Sequence, residues 1–174
     1  MSFLTCTNAF SLDLSLAEKS MHQYFKALKT YDTTEMASLM HPEALKRFRG
    51  AINSALHGKK QEFARKELLP VFGTTDLVEY QSLSDREAFK RLNDAISNSA
   101  PLLIDMLEKS DFKIINISEK SNVAYVVYIL NIYANEQKAS TEIVQKLKIF
   151  EDKWLLLLSA EADATIAGIN AKYN

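Results

Sequence analysis

The sequence predicts an α+β fold in which N-terminal helices pack on an antiparallel meander sheet. Helical periodicity dominates residues 15–110, and four segments rich in Val, Ile, Tyr and Leu follow. These strand-like segments are joined by turns of only three or four polar residues. Such turns are too short for a crossover helix, so neighbouring strands must be antiparallel. Helices followed by a meander are typical of the α+β class.

The first three helical segments begin at recognisable start signals. Ser15 and Asp32 each precede a Glu by three residues, which is a capping box. Pro42 ends the second helix at His41 and opens a third. Apolar residues at helical spacing predict the buried faces: Leu16, Met21, Tyr24, Phe25 and Leu28, then Met36, Leu39 and Met40, then Leu45, Phe48, Ile52 and Leu56.

Later segments are predicted from the same kinds of signal. They are a helix over Gln61–Leu69, a short strand or loop over Val71–Ser82, helices beginning at Ser84 and at Pro101, and a weak helix over Ala160–Asn174 that fades into a tail. The predicted strands are Phe112–Ser118, Val123–Ala134, Ala139–Phe150 and Trp154–Ser159.

The second strand is apolar on both faces. Side chains alternate across a strand, and both its odd set (from Val123) and its even set (from Ala124) are mostly hydrophobic. We therefore expect the chain's own helices to cover one face, and a second subunit or the C-terminal tail to cover the other. The third strand instead predicts a core face and a solvated face: Ile143, Leu147 and Ile149 against Glu142, Lys146 and Lys148.

Composition favours one soluble globular domain. The 174 residues are 47% hydrophobic and 25% charged, which is ordinary for such a domain. We predict a domain over residues 12–162, with 1–11 as a flexible N-terminus or signal-peptide stub and 163–174 as a tail. The net charge of −1 gives no bias toward nucleic acid. No apolar run is long enough to span a bilayer, so neither nucleic acid nor membrane is expected as a partner.

The compartment stays open. Residues 1–11 lack Lys and Arg, so as written they are no complete signal peptide and favour the cytoplasm. Ala9-Phe10-Ser11 nevertheless has the small-x-small pattern of a cleavage site. A misassigned start would make the protein periplasmic or secreted. The single cysteine, Cys6, excludes an intrachain disulfide.

Two stretches carry a resemblance to a known family. The first is Tyr24-Phe25-Lys26-Ala27-Leu28 with Asp32, Met36, Leu39 and His41-Pro42-Glu43, and the second is Lys148–Trp154 with the leucines after it. Both resemble the nuclear transport factor 2-like (cystatin-like) superfamily, although the usual Gly before the Trp is missing. The resemblance implies a strongly curved sheet around a cone-shaped pocket, commonly in dimers through the sheet.

The resemblance does not extend to the superfamily's best-known chemistry. In ketosteroid isomerase a Tyr donates a hydrogen bond and an Asp moves the proton. An ungapped comparison puts Tyr24 at the Tyr position and Phe48 at the Asp position, and a phenyl ring accepts no proton. Glu43 lies at a helix start, and Glu142 lies on the predicted solvated face. We therefore predict no catalytic residues.

Other signals are weak. The three histidines lack metal-ligand spacing and the four glycines form no phosphate loop, so no metal and no cofactor are predicted. A locally basic region favours a solvated helical face over an anion site: Lys46, Arg47, Arg49, Lys59, Lys60, Arg65 and Lys66. Tyr125, Tyr128 and Tyr133 suit a pocket, an interface or plain sheet packing.

The sequence favours a non-catalytic domain that binds a small hydrophobic ligand or a protein partner, and a homodimer through the sheet. The predicted pocket lining is Tyr24, Leu28, Phe48, Tyr128, Leu147 and Trp154. One alternative is a lyase or isomerase for a small hydrophobic substrate, with Tyr24 as donor and His41 as base. A second is a structural or secretion-associated self-association domain.

Overall fold

The structure, a computed structural model, describes residues 13–134 and 137–174. Ala9–Ser11 and Cys6 lie outside these residues. The helices are α1 Leu14–Thr30, α2 Thr33–Ser38, α3 Pro42–His57, α4 Gln61–Leu68, α5 Leu77–Ser82, α6 Asp85–Ser99, α7 Pro101–Lys109 and α8 Ala160–Tyr173, with a 3-10 turn at Leu69–Phe72. The strands are β1 Asp111–Lys120, β2 Val123–Ala134, β3 Gln137–Phe150 and β4 Lys153–Leu156. The prediction of an α+β fold with an antiparallel meander is confirmed, and the cone stays a prediction.

Helix α1 starts two residues earlier than its capping box predicts. The Asp13 carboxylate accepts a hydrogen bond from the Ser15 amide at 2.9 Å, so Asp13, and not Ser15, is the N-cap. The predicted apolar stripe is buried at Met21 and Phe25. The chain leaves α1 through Tyr31, which adopts a left-handed conformation (φ 48°). This turn delivers Asp32 to cap α2, as predicted.

Helix α2 ends at Ser38 instead of continuing to His41, because the next three residues pair with the sheet. The Leu156 amide donates to the Leu39 carbonyl at 2.9 Å, and the His41 amide donates to the Leu156 carbonyl at 2.8 Å. Leu39–His41, which we call the edge segment, thus forms a short parallel bridge along β4. Such pairing covers the backbone groups of a sheet edge.

The prediction of a strand or loop over Val71–Ser82 was wrong. Residues 69–72 form the 3-10 turn, and Leu77–Ser82 form α5. The Asp76 carboxylate accepts from the Val78 amide at 2.7 Å and caps α5. Tyr80 is completely buried and anchors this short helix. A cap plus one anchoring aromatic outweighs the strand-like composition of the segment.

The sheet has the strand order β1-β2-β3-β4, with every neighbouring pair antiparallel. Ser121 and Asn122 connect β1 to β2, and Glu151 and Asp152 connect β3 to β4; all four have φ between 48° and 61°. Positive φ at both central residues defines a type I′ hairpin turn, whose twist matches that of the strands. Ile115 is an extra residue in β1 that forms a β-bulge opposite β2.

The last strand is shorter than predicted: β4 ends at Leu156 and does not reach Ser159. The Gln145 amide group, buried in the sheet, donates to the Leu157 carbonyl at 2.7 Å. This side-chain hydrogen bond satisfies the Leu157 carbonyl in place of a neighbouring strand, at the point where the chain leaves the sheet. Ser159 then caps α8 by accepting a hydrogen bond from the Ala162 amide.

Helix α8 runs through the segment that the sequence indicates as a tail. The predicted boundary between residues 12–162 and 163–174 falls inside this helix. Its end is docked, because Tyr173 is buried and its hydroxyl donates to the Glu67 carboxylate at 2.6 Å. Ile166, also buried, and Ile169 add apolar contact. The Ala-rich composition indicates only a weak helix, because it does not show that a few buried residues, Ile166 and Tyr173, hold the helix in place.

Candidate functional site

Three of the six predicted pocket residues lie in the main core, between the helices and the inner face of the sheet. Leu147, Trp154 and Tyr128 are buried there with Met21 and Phe25 of α1. The Phe25 and Tyr128 rings pack edge to face, with centroids 5.5 Å apart. Neighbouring side chains of the same chain therefore occupy the space around these residues.

The other three predicted residues are placed differently. Phe48 is buried in a second cluster with Ile52 and Phe72. Tyr24 and Leu28 are half-buried on α1, and desolvation raises the pKa of the Tyr24 phenol to about 12. The phenol stays protonated at ordinary pH and can act as a hydrogen-bond donor. The structure thus places four of the six residues in or against the main core, Phe48 in the second cluster and Leu28 half-buried on α1. Ligand binding by them stays a prediction.

His41, the proposed base of the enzyme alternative, is buried at the N-cap of α3. Its Nδ1 accepts a hydrogen bond from the Glu43 amide at 3.1 Å, so the neutral ring carries its proton on Nε2. The buried Nε2 has no partner among the described residues. Burial lowers the pKa of His41, partly against the pull of Glu43. A ring whose lone pair is used as a cap has none left to remove a proton from a substrate.

The outer face of the sheet is an apolar surface that the described helices leave uncovered. Val123, Tyr125, Val127 and Ile129 of β2 form a half-exposed row, which we call the outer row. Val144 of β3 lies beside it and keeps 48% of its surface exposed, and the bulged Ile115 of β1 keeps 46%. Contiguous apolar surface of this kind marks interaction sites.

Polar groups close both ends of the outer row. At one end Asn131 donates to Asp111 at 2.6 Å, and Ser140 donates to Asn131 at 2.7 Å. At the other end Lys148 donates to Glu43 at 2.6 Å. The charged rims and the apolar centre together have the layout of an interface core with a polar rim.

The tyrosines that the sequence grouped together are split between the two faces. Tyr128 points into the main core, whereas Tyr125 and Tyr133 lie on the outer face. The Tyr133 hydroxyl donates to Asp111 at 3.3 Å. Tyr128 therefore packs inside, and the other two tyrosines belong to the exposed surface.

A small cavity of about 210 Å³ lies next to Trp154. Leu16 and Gln23 of α1, Leu39 of the edge segment and Asp152–Leu155 line it. Trp154 is thus the one member of the predicted lining that borders a described cavity. The volume is below the range of about 300–1,000 Å³ that is usual for drug-sized ligands.

Two larger clefts, of about 470 and 640 Å³, flank Pro70. In the smaller cleft Arg91 donates to the Phe72 carbonyl at 2.9 Å and to Glu87 at 3.1 Å. Asp94 accepts from Lys90 at 2.7 Å and from Thr33 at 2.6 Å. These charges are already engaged by one another, so the cleft presents a neutralised polar surface.

Besides Arg49, three of the seven cations in the basic region of the sequence have a polar partner. Arg47 contacts Asp163 at 3.1 Å, Arg65 lies 3.5 Å from Glu62, and Lys60 donates to the Lys172 carbonyl. Arg49 differs from all of these cations, because it is buried. The sequence does indicate the burial of Arg49, because this residue lies four residues after Leu45 and three before Ile52, on the apolar stripe of α3.

None of the family models, curated proteins or solved structures compared with this chain matches it. Among residues 13–134 and 137–174, no group of three or more His, Cys, Asp or Glu side chains is arranged to hold a metal ion. Within the same residues, no helix combines the length and hydrophobicity needed to cross a membrane.

Proposed function

We propose that this chain is a non-catalytic interaction domain of the nuclear transport factor 2-like type that self-associates through the outer face of its sheet. The observation that carries the proposal is the half-exposed outer row beside the exposed Val144. The inner face, by contrast, is filled by the chain's own helices. Joining two outer faces would bury apolar surface that the monomer leaves in water.

Charges beside the outer row favour a second copy as the partner. Lys113 of β1 pairs with Ile129 of β2, which pairs with Glu142 of β3, so the two charges flank Ile129 in one row. A two-fold axis between two facing sheets, parallel to β2, brings Lys113 of each copy opposite Glu142 of the other. Isologous interfaces require self-complementarity of this kind.

The lysines at the far end of the row do not oppose this arrangement. The same axis brings Lys120 opposite Lys148 of the second copy, because both are paired with Val123. Lys148 already donates to Glu43 at 2.6 Å, so Lys120 meets a neutralised pair. The Glu43 carboxylate also keeps a lowered pKa, chiefly through the hydrogen bond from Lys148.

Replacing Val127 by Lys tests the proposal. Val127→Lys places a charge at the centre of the outer row, and we expect it to weaken self-association at least roughly tenfold. Sedimentation velocity over a range of protein concentrations measures the effect. Val78→Lys is the matched control, since Val78 is 71% exposed on α5, away from the sheet. A monomeric wild type, or equal assembly of the Val127→Lys variant, would refute self-association through this face.

A charge exchange tests the two-fold arrangement itself. Lys113→Glu alone, or Glu142→Lys alone, sets like charges opposite each other and should weaken the dimer. The double variant restores opposite charges across the interface and should recover the affinity. A double variant as weak as the two single variants would show that the copies meet in another orientation.

A second candidate function is binding of a small hydrophobic molecule, favoured by the cavity next to Trp154. Trp154 is the single tryptophan of the chain, so its fluorescence reports on this cavity without interference. Titration with toluene should change the emission in a saturable way. Leu16→Phe, which narrows the cavity, should abolish saturation, and Leu102→Phe on the exposed face of α7 should not. A non-saturable response in the wild type rules out the site.

A further inference from the structure

Arg49 is a buried cation. It lies on the apolar stripe of α3 and keeps only 6% of its surface exposed. Arginine remains charged in proteins, and its guanidinium carries five N–H donors. A buried charge is ordinarily paired with an opposite charge, because removing it from water carries a large penalty.

The surroundings of Arg49 compensate that charge only in part. Its Nη2 donates to the Tyr80 carbonyl at 2.6 Å, and the guanidinium carbon lies 3.9 Å above the centre of the Tyr80 ring. Both contacts favour the cation, and the contact with the ring is stronger where water is excluded. Within residues 13–134 and 137–174, no carboxylate lies within ion-pair distance of Arg49, and its buried Nη1 has no hydrogen-bond partner.

Two further polar atoms, on α5 and α3, are buried without a hydrogen-bond partner among the described residues. The Tyr80 hydroxyl is on the ring that Arg49 covers. Asn53 lies one turn further along α3 than Arg49, and its buried Oδ1 also has no partner within the described part of the chain. Rotating the Asn53 amide would turn its NH₂ group inward, since no described hydrogen bond holds it. Burial raises the pKa of Tyr80 to about 12, so the phenol keeps its proton to donate.

We propose that Arg49, Tyr80 and Asn53 form a binding site for a halide-sized anion, with chloride as its ligand. Arg49 Nη1 supplies the charge, and the Tyr80 hydroxyl and the Asn53 amide supply neutral donors. A small monovalent anion neutralises one buried guanidinium, whereas a water molecule satisfies donors without balancing the charge. The site lies between α3 and α5, so its occupancy fastens the short helix α5 to the rest of the molecule.

Unfolding by urea tests the site as sodium chloride replaces sodium gluconate at constant ionic strength. Above the dissociation constant, each tenfold rise in chloride should raise the folding equilibrium constant about tenfold. Arg49→Met removes the charge at similar length and should remove this dependence. Without a counter-ion an apolar replacement is neutral or stabilising. Arg49→Met should therefore be at least as stable as the wild type without chloride and less stable with it.

Arg47→Met is the matched control, because Arg47 is an exposed arginine on the same helix. It should keep the full chloride dependence, and Tyr80→Phe, which retains the ring under Arg49, should reduce it. Equal chloride dependence in the wild type and in Arg49→Met would overturn the proposal. A wild type insensitive to chloride would do the same, and would leave water as the occupant.

A direct measurement covers the case in which Arg49→Met fails to fold. Crystals of the wild-type protein grown with sodium bromide should show an anomalous peak at about 3.5 Å or less from Arg49 Nη1. The absence of that peak at saturating bromide would refute the anion site, whatever the variants do.

Discussion

Val126 and Val127 are adjacent valines with opposite surroundings. Val126 is completely buried in the main core between helices and sheet, whereas Val127 is half-exposed in the outer row. The two side chains are chemically identical, and only the alternation of the strand separates them. On a strand that is apolar on both faces, composition alone therefore does not tell a core position from a surface position.

The comparison extends to the whole sheet. The inner face meets α1, the edge segment and the first half of α3, while no described element covers the outer face. The same residue types thus stabilise the monomer on one face and remain available for association on the other. Substitutions on the two faces should affect different measurements: unfolding of the monomer for the inner face and oligomeric state for the outer face.

The largest expected effect separates the two faces directly. Leu147→Ala removes a completely buried side chain and should lower the free energy of unfolding by about 2–5 kcal/mol. Val144→Ala, on the same strand but on the outer face, should change it by about 0.5 kcal/mol or less. Urea denaturation at protein concentrations that favour the monomer measures both. Comparable losses would show that the outer face is also covered within the monomer.

An intermediate effect on stability concerns His41 of the edge segment, which lies at the border of the sheet beside β4. Burial lowers the pKa of His41 from its ordinary 6.5, and the charges that act on it are Glu43, which raises the pKa, and Lys148, which lowers it. The unfolded chain therefore binds the proton more readily than the folded one. Stability should be full above pH 6.5 and decline as the pH falls through the folded pKa. A protonated Nδ1 no longer accepts the Glu43 amide, which removes a cap worth about 1 kcal/mol.

His41→Asn separates this titration from that of the carboxylates. Asparagine is a good N-cap that does not titrate in this range, so the variant should keep its stability between pH 7 and pH 5 better than the wild type. Free energies of unfolding at the two pH values give the comparison. Equal losses in both proteins would assign the acid sensitivity to groups other than His41.

The smallest expected effect concerns the hairpin turns. These turns fix the register of the strands and so decide which side chains lie on each face of the sheet. Asp152 adopts φ 61°, a conformation that glycine reaches without strain. Asp152→Gly should stabilise the protein by roughly 0.5–1 kcal/mol, because the relief of left-handed strain exceeds the added freedom of the unfolded chain. Lys153→Gly, one residue later in β4, should destabilise it by a similar amount. Thermal unfolding of both variants checks the sign of each change.

The sequence predicted most of the architecture because its signals were local. Alternation within strands, capping residues such as Asp32 and turn residues such as Asn122 act over a few positions. The prediction failed at α5, where the decisive interaction is burial of Tyr80 against distant residues. It also failed at the end of β4, where Gln145 replaces a strand partner from twelve residues away.

The candidate sites were harder to predict because they depend on what lies opposite a residue. The periodicity showed that β2 is apolar on both faces, and only the packing of the helices decided which face is open. Arg49 was grouped with surface cations because its neighbours in sequence are charged. Its position on α3 between Leu45 and Ile52 places it on the buried face of the helix. For Arg49, helical spacing therefore predicts burial better than the charge of its neighbours does.

The edge segment also limits how this protein can polymerise. A sheet with two unpaired edges can add neighbours on both sides and grow into a ribbon. Here Leu39–His41 pairs with Leu156 and covers that end of β4, whereas among the described residues no segment pairs with the free edge of β1, which Ile115 bulges. A sheet with one open edge joins one neighbour and then stops. Pairing of edges along β1 would therefore join two sheets, and growth from the Leu156 end of β4 would first require the edge segment to detach.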